Sequence, residues 1–352
     1  MDQLLMQKYP QLAGDPLAMA MFCCALVEHQ KFDEAYEMGL AACEGAPDDM
    51  EVRDLVQSAL GSKLPQWHIP MLHDGPRNRA YALAIRRAVK PGMTVLEIGT
   101  GAGFLAMVAA KAGARVYTCE ADPLVAAAAA KIVRRNNLHD QITVIPKRSD
   151  QIELGKDLPQ PADLLMSELF DDTLYGDNIV SIIADAKNRL LKLGASVLPP
   201  RAQLRCALIT HKLSPKRRPL LEIEGFDFTA FNVLAPRYSS ILRCSSKHSQ
   251  RLSEPASALV ADFQVEAPFG ERETGLKLIS SGGRVSAVAQ WLRVDFGDGL
   301  VFENDPFHGP LSHWGSPVYP LARPLETAPG EVVEVTVRRA LESLIIINAR
   351  RG

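Results

Sequence analysis

The run V-L-E-I-G-T-G-A-G, residues 95–103, constrains the fold of this chain more than any other feature. A short apolar strand runs into a turn that is rich in glycine. An alanine-rich helical stretch follows over residues 104–112, and a second apolar strand, residues 115–119, ends at Glu120. This order is typical of a βαβ unit, which binds an adenosine-containing ligand at the carboxyl ends of its parallel strands.

The spacing of the glycines argues against a dinucleotide. Gly99, Gly101 and Gly103 give G-x-G-x-G, whereas dinucleotide-binding loops use G-x-G-x-x-G. A carboxylate at Glu97 would repel a pyrophosphate and attract a cation, such as the sulfonium and amino groups of S-adenosylmethionine. Glu120 stands where a carboxylate accepts hydrogen bonds from both ribose hydroxyls. A nicotinamide-dependent dehydrogenase is therefore disfavoured. The remaining alternative without a ligand is that residues 99–103 only turn the chain and that Glu120 is a solvated strand end.

Composition excludes several classes of protein. The chain has 352 residues, 47% of them hydrophobic, which suffices for two or three domains. A net charge of −2 predicts no direct binding to nucleic acid. Six cysteines without C-x-x-C spacing predict neither a metal site nor a disulfide framework, and reduced thiols fit the cytoplasm, or the nucleus if the source is eukaryotic. We find no secretory leader pattern and no membrane-spanning run, so no membrane partner is expected.

Residues 1–60 predict helices over Pro16–Glu28, over Phe32–Glu44 and from the Pro47-Asp48-Asp49 cap through Leu60. The stretch A-L-V-E-H-Q-K-F-D-E-A-Y-E, residues 25–37, resembles one tetratricopeptide unit. A single unit cannot bury its own face and must pack on something else. A partner-binding module and a plain helical hairpin that covers the next domain are both open.

Residues 61–200 alternate strands and helices, which predicts a doubly wound, Rossmann-like α/β domain. The predicted strands are 94–98, 115–119, 142–146, 163–167 and 195–198, and the predicted helices are 79–89, 103–112, 123–137 and 178–192. Residues 201–352 lose helical periodicity and predict an antiparallel β domain, a barrel or a sandwich. Its predicted strands are 258–265, 285–296, 332–337 and 343–348.

Three further motifs identify a family resemblance: W-H-I-P-M-L-H-D-G-P-R at 67–77, S-E-L-F-D-D-T-L-Y-G-D at 167–177 and G-P-L-S-H-W-G at 309–315. With the glycine-rich run they resemble the protein arginine N-methyltransferases over residues 60–352, nearest to the divergent type III and tetratricopeptide-containing branches. The resemblance implies a Rossmann-like domain that binds S-adenosylmethionine and releases S-adenosylhomocysteine. It also implies a β-barrel domain that binds an arginine-containing protein or peptide.

Arginine methylation explains the acidic residues after the fourth strand. A guanidinium has a pKa above about 12 and is a poor nucleophile, so an enzyme must hold it and localise its charge. Carboxylates do this by charge-assisted hydrogen bonding. In the family, two glutamates on this hairpin clamp the substrate arginine. Glu168 matches the first, Asp177 matches the second in charge but is one methylene shorter, and Asp171 is a further candidate for substrate binding.

The Ser312-His313-Trp314 segment resembles the family's Thr-His-Trp loop. The resemblance implies that His313 helps to hold the acidic hairpin and that Trp314 lines the arginine slot. Met71 matches the methionine at the active-site wall. Candidate cofactor ligands follow in the same way: Arg77 for the cofactor's carboxylate, His68 at the family's histidine position, and Ser149 and Asp150 for the adenine amino group, in addition to Glu97, Glu120 and the three glycines.

The segment Glu224–Phe228 resembles the start of the family's dimerisation arm, near 220–245. Because the chain has one G-x-G-x-G, the arm requires a second molecule, which predicts a homodimer. The leading function is S-adenosylmethionine-dependent protein arginine N-methylation. The alternatives are a methyltransferase for another nucleophile, which Asp177 keeps open, and a cofactor-binding scaffold that uses the N-terminal helices with little catalysis.

Overall fold

The computed structural model describes residues 7–212, 220–234, 239–243, 248–265, 273–308, 312–339 and 345–352. The chain divides into two compact units, each assembled from separate stretches of sequence. The first unit comprises Met1–His73, Ala82–Glu168 and Asp185–Ser196. The second unit comprises Asp74–Tyr81, Leu169–Ala184 and Val197–Gly352.

A parallel sheet forms the centre of the first unit. Its strands are β1 (Thr94–Ile98), β2 (Arg115–Cys119), β3 (Ile142–Ile145), β4 (Ala162–Ser167) and β5 (Leu191–Leu198), in the order β3-β2-β1-β4-β5. β1 is buried along its whole length and pairs in parallel with β2 and β4. A parallel strand that is buried on both faces consists mainly of apolar residues, as the run that predicted β1 does. The sheet confirms the predicted Rossmann-like core.

Two helices, α4 (His68–His73) and α5 (Gly75–Ala88), precede β1, whereas α6 (Phe104–Lys111), α7 (Pro123–Arg135) and α8 (Ile179–Arg189) follow β1, β2 and β4. The bounds of α6 and α7 lie within two residues of the predicted ones, but α4 was not predicted and α5 begins four residues before its predicted start. Asp122 caps α7 by accepting from the backbone N–H groups of Leu124 and Val125. The prediction of a helix as far as residue 192 was wrong, because β5 already begins at Leu191.

The N-terminal helices α1 (Pro16–Glu28), α2 (Phe32–Gly45) and α3 (Met50–Val56) have a core of their own. The predicted third helix is interrupted, because a wider π turn replaces it over Gln57–Gly61. Ion pairs join α2 to α7: Lys131 Nζ lies 2.5 Å from Glu37 Oε2, and Arg135 pairs with Glu44. The helices therefore cover a helix of the adjoining α/β domain, which is the plain-hairpin alternative, and the tetratricopeptide resemblance stays a prediction.

An antiparallel sheet dominates the second unit. Its main path runs β10 (Ser249–Arg251), β6 (Arg201–His211), β12 (Glu273–Asp295), β14 (Pro317–Arg339) and β15 (Ile345–Arg351). β11 (Ala256–Asp262) pairs with β6, β13 (Val301–Glu303) with β12, and β9 (Ser239–Arg243) with β14. A separate ribbon joins β7 (Glu222–Ile223) to β8 (Phe226–Asp227). The sheet confirms the predicted antiparallel β domain.

The buried centre of this sheet includes Trp291 and Val318 together with small residues of β6 and β12. Among the described residues, none of the helices combines the length and the apolarity that crossing a bilayer requires.

Candidate active site

The glycine turn after β1 has the backbone geometry that its sequence demands. Gly99, Gly101 and Gly103 have φ of +88°, +51° and +81°, in the left-handed region that favours glycine. Met71 of α4 borders this turn, because a Cβ placed on Gly101 would lie 3.9 Å from its Cε. The predicted wall residue and the predicted cofactor loop are therefore neighbours within the first unit.

Glu120, after β2, is oriented by two backbone donors. Its Oε2 accepts from the N–H of Gly101 at 2.9 Å, and its Oε1 accepts from the N–H of Asp122 at 3.1 Å. Burial raises the pKa of Glu120, although these hydrogen bonds oppose the rise. A carboxylate has about four acceptor positions, so it can still receive ribose hydroxyls. The turn and this fixed acceptor fit an adenosine-containing cofactor.

Glu97 is fully buried in β1, and its carboxylate takes part in a hydrogen-bond network with two threonine hydroxyls. Thr118 donates to Glu97 Oε2 at 2.6 Å, and the hydroxyls of Thr118 and Thr100 are 2.6 Å apart. Because the proton of Thr118 goes to the carboxylate, Thr100 must donate to Thr118. These hydrogen bonds depend on the register of β1 and β2, which sequence patterns do not reveal. Contact of Glu97 with the cofactor stays a prediction.

His68 and Ser149 are buried, whereas Asp150 is not. The ring of His68 stacks on Trp67 with centroids 3.9 Å apart, and burial lowers the pKa of His68, which keeps the imidazole neutral at neutral pH. Asp150 is exposed and forms a bidentate pair with Arg148 at 3.1 and 3.2 Å. This hydrogen bonding holds the pKa of Asp150 below its usual value. Contact of Ser149 and Asp150 with the adenine amino group stays a prediction.

The acidic hairpin begins where β4 ends. Glu168 directly follows the strand and is half-buried. Asp177 lies in the short turn Gly176–Asn178, and its side chain is outside the described residues. Within the hairpin, the fully buried Leu174 has a φ of +74°, a strained conformation for leucine. Such strain persists only where the surroundings impose it, and it concentrates at functional sites.

Asp171 closes the hairpin. Its Oδ1 accepts from the N–H and hydroxyl of Thr173 at 2.8 and 2.6 Å and from the N–H of Gly176 at 3.1 Å. A Cβ on Gly176 would lie 2.4 Å from this carboxyl group, so glycine is required there. Oδ1 thus accepts three hydrogen bonds within the hairpin. If Asp171 contacts the substrate, as predicted, it does so through Oδ2.

Asp74 is a site residue that the sequence reasoning missed. Its Oδ2 accepts from the Ser312 hydroxyl at 2.5 Å and from the backbone N–H and Nδ1 of His313 at 3.1 and 3.0 Å. Its Oδ1 accepts from the backbone N–H of Arg77 at 3.1 Å. Burial alone would raise the pKa of Asp74, but these hydrogen bonds outweigh it and lower the pKa to about 2. Asp74 is therefore ionised, and His313 must donate from Nδ1.

The loop that carries His313 is bound to the acidic hairpin. The indole of Trp314 is buried and donates to the carbonyl oxygen of Phe170 at 3.0 Å. The backbone N–H of Gly315 donates to Asp172 Oδ1 at 2.5 Å. A Cβ on Gly315 would lie 2.4 Å from Asp172 Oδ2, so this position also requires glycine. These contacts support a hairpin-holding role for the loop, whereas the lining of the arginine slot by Trp314 stays a prediction.

Arg77 lies in the first turn of α5 and is buried in the second unit. Its Nη1 donates to Asn78 Oδ1 at 2.8 Å, and its guanidinium lies 4.8 Å from the centre of the Tyr81 ring. The face of the Tyr81 ring attracts the buried guanidinium of Arg77 and so favours one orientation of it. Binding of the cofactor's carboxylate by Arg77 stays a prediction.

The glycine turn after β1 and the carboxylate after β2 define the class of S-adenosylmethionine-dependent methyltransferases. A family model described as Ribosomal protein L11 methyltransferase (PrmA) matches residues 81–197, the α/β part of the chain. An Arginine N(omega)-methyltransferase of Streptomyces achromogenes subsp. streptozoticus is 34% identical over 307 residues, 86% of this chain and 84% of that protein. The chain therefore belongs to the arginine N-methyltransferase family.

Other relatives are longer. Protein arginine N-methyltransferase 7 of Drosophila grimshawi is 33% identical over 251 residues, which are 65% of this chain but 35% of that protein. Among solved structures, the Trypanosoma brucei PRMT1 enzyme-prozyme heterotetrameric complex with AdoHcy has a TM-score of 0.71 at 24% identity, covering 81% of this chain and 93% of that chain. Arabidopsis thaliana protein arginine methyltransferase 10 has a TM-score of 0.67 at 22% identity, covering 79% and 90%. These two likenesses concern the fold.

Proposed function

We propose that this S-adenosylmethionine-dependent enzyme methylates a guanidino nitrogen of arginine residues in proteins or peptides, with the hairpin that follows β4 holding the acceptor. The observation that carries the proposal is the bracing of that hairpin. Asp171 closes it, and Trp314 and Gly315 tie it to the loop of His313. A segment that must orient a nitrogen at an angle fit for methyl transfer requires this rigidity, since alignment contributes a large share of the rate.

The cofactor side of the reaction falls to residues of known placement. The glycine turn would admit the cofactor closely, Glu120, which the Gly101 N–H orients, would accept from its ribose, and the buried His68 and Ser149 would line the adenosine. Arg77 offers a cation for its carboxylate. When bound, the sulfonium cofactor supplies an electrophilic methyl group.

The acceptor side is the task of carboxylates. Glu168 and Asp177 hold the guanidinium and draw its positive charge away from the nitrogen that is methylated. Charge-assisted hydrogen bonds of this kind are about twice as strong as neutral ones, and they fix direction as well. His313 is held by Asp74, which is ionised at neutral pH, so its ring keeps one orientation in the loop that supports the hairpin.

Mass spectrometry of arginine-rich peptides, after incubation with the enzyme and S-adenosylmethionine, tests the proposal. We expect mass increases of one or two methyl groups on arginine. Binding of the cofactor without methylation of any acceptor would favour the scaffold alternative, and methylation of other side chains would favour another nucleophile.

Free arginine is a second candidate acceptor. The Streptomyces relative that matches 86% of this chain is named Arginine N(omega)-methyltransferase, without reference to protein. The same assay with free L-arginine beside peptides decides between the two, because a site for free arginine must also bind a charged α-carboxylate and α-ammonium group. A ratio of kcat/KM values that favours free arginine would assign it as the acceptor.

We also propose a homodimer. Of the arm-like segment near 220–245, the structure describes residues 220–234 and 239–243. The first of these stretches presents large apolar side chains to solvent: Leu221 and Phe226 are each 70% exposed, and Val233 is 86% exposed. Contiguous exposed apolar residues of this size mark interaction surfaces. A second copy of the chain is the occupant that the family resemblance implies.

A further inference from the structure

Two polar side chains are buried on the antiparallel sheet, on the face opposite to Trp291 and Val318. Gln290 of β12 is 1% exposed, and Tyr319 of β14 is 4% exposed. Their strands are paired, with Ala289 opposite Val318 and Val288 opposite Tyr319. A carboxamide in such surroundings costs free energy unless both its donor and its acceptor are bonded. The position therefore calls for a specific reason.

The hydrogen bonds of Gln290 supply that reason. Its Nε2 donates to the main-chain carbonyl oxygen of Asp172 at 2.6 Å. Its Oε1 accepts from the hydroxyl of Tyr319 at 3.1 Å. The reversed amide would place its oxygen against the Asp172 carbonyl, with two acceptors facing each other, so the orientation of the amide is fixed.

Asp172 lies between Glu168 and Asp177, and it is already a junction of contacts. Its carboxylate accepts from the N–H of Gly315, and the adjacent Asp171 closes the turn onto Gly176. The bond from Gln290 holds the backbone of the same residue from the side of the sheet. The hairpin is thus held near its middle by a side chain of β12.

We propose that Gln290, oriented by Tyr319, is a positioning residue for the acidic hairpin and thereby for methyl transfer. This inference rests on the proposed role of the hairpin in holding the acceptor arginine. Removal of the Gln290 donor leaves the Asp172 carbonyl without this bond and allows the hairpin to move. Displacements of about 1 Å can cost on the order of a hundredfold in rate, so a loss of kcat without a loss of cofactor affinity is expected.

Three variants separate positioning from packing. Gln290→Met keeps the volume and removes both hydrogen bonds, and we expect kcat to fall about ten- to a hundredfold with an unchanged Kd for S-adenosylhomocysteine. Tyr319→Phe removes only the hydroxyl that orients the amide, and a loss of about threefold is expected. Gln203→Met is the matched control, because Gln203 accepts from Ser257 within the same sheet and its kcat should stay at the wild-type value.

Gln290→Glu provides a readout that packing alone would not move. A protonated carboxyl can donate to the Asp172 carbonyl, whereas an ionised carboxylate cannot, and burial of this position disfavours the charged form. The kcat of this variant relative to wild type should therefore fall as the pH rises. The relative kcat of Gln290→Met should be independent of pH.

Hydrogen–deuterium exchange of residues 170–178 measures the hairpin without reference to catalysis. We expect faster exchange in Gln290→Met than in wild type and in Gln203→Met. Wild-type exchange and wild-type kcat in Gln290→Met would overturn the inference, as would a loss of cofactor affinity equal to the loss of kcat. A wild-type enzyme that methylates no arginine acceptor would instead contradict the proposed function, and the exchange result would still decide whether Gln290 holds the hairpin.

Discussion

Asp74 is a buried carboxylate whose ionisation is controlled by the hydrogen bonds that it accepts. Its pKa is lowered from 3.8 to about 2, so its charge stabilises the fold fully above pH 4, and this contribution is lost as the pH falls from about 4 to about 2. Each pKa unit corresponds to about 1.4 kcal/mol. Asp74→Asn should therefore lower the free energy of unfolding by about 2 kcal/mol at pH 7. Urea denaturation should give the same difference at pH 7 and pH 5 and a smaller one at pH 3; a difference that grows with acidification would contradict this assignment.

Glu120 is expected to control cofactor affinity. Glu120→Ala should weaken binding of S-adenosylhomocysteine by roughly 1–3 kcal/mol, because hydroxyl donors of the ribose lose their acceptor. Burial raises the pKa of Glu120 above 4.5, so wild-type affinity should decline on acidification at a pH higher than for an exposed glutamate. Titration calorimetry measures both effects. Asp150→Ala is the comparison variant, since its side chain is exposed and paired with Arg148, so a smaller loss is expected; equal losses in both variants would identify Asp150 as a ligand of equal weight.

Glu168 carries the chemical prediction. Glu168→Gln keeps the shape of the side chain but removes the charge that polarises the guanidinium, and turnover should fall on the order of a thousandfold with nearly intact cofactor affinity. Asp177→Glu restores the family's residue and should change the rate or the degree of methylation alone. Kinetics on an arginine peptide decide the matter. Undiminished turnover in Glu168→Gln would remove Glu168 from the mechanism.

The sequence predicts local features of the site better than distant ones. The glycine turn and Glu120 follow from neighbouring residues, because the βαβ pattern places them by itself. Asp74 could not be found in this way, since its partner His313 is 239 positions away. Its presence three residues before Arg77, within one motif, was the available signal.

At the scale of elements, the acidic hairpin and the loop of His313 each depend on a glycine. Gly176 lies against the Asp171 carboxyl group in the hairpin, and Gly315 of the loop lies against that of Asp172. Gly315→Ala would place a Cβ against the Asp172 carboxylate, so we expect loss of stability by about 1–3 kcal/mol and reduced turnover. Gly275→Ala on β12 is the matched control, because nothing lies within 4 Å of its Cβ position. Thermal unfolding of both variants tests the prediction. Equal melting temperatures would show that the loop adjusts freely.

Regular elements were predictable where their periodicity is unbroken. The bounds of β1 and β2 match the predicted ones, because each is a short apolar run between clear turn signals. The long strand β12 was predicted only from residue 285 onward, although it begins at Glu273. Register shifts between Ile279 and Ser281 and between Val285 and Ala287 break the alternation of buried and exposed side chains. Strand patterns cannot be followed through such irregularities.

At the scale of the whole molecule, a linear division at residue 200 cannot represent the observed units. Residues 74–81 and 169–184 belong with the β sheet rather than with the α/β core that flanks them in sequence. Asp74 and the hairpin are in these two stretches, so long-range hydrogen bonds define the unit. Sequence patterns report local periodicity. They carry no information on which loop packs against a sheet that is distant in the sequence.

The exposed apolar arm leads to the prediction about assembly. Phe226 is 70% exposed and Phe231 is 60% exposed, and burial of such side chains contributes roughly 2 kcal/mol each. The wild-type chain should therefore sediment at equilibrium with twice the mass of one chain at micromolar concentration. The double variant Phe226→Asp, Phe231→Asp should sediment as a single chain, because dimerisation would bury the two introduced carboxylates. Ile279→Asp, at a position that is 64% exposed on β12, is the matched control and should remain dimeric. A wild-type mass of one chain would contradict the homodimer, and dissociation by the control as well would move the interface away from the arm.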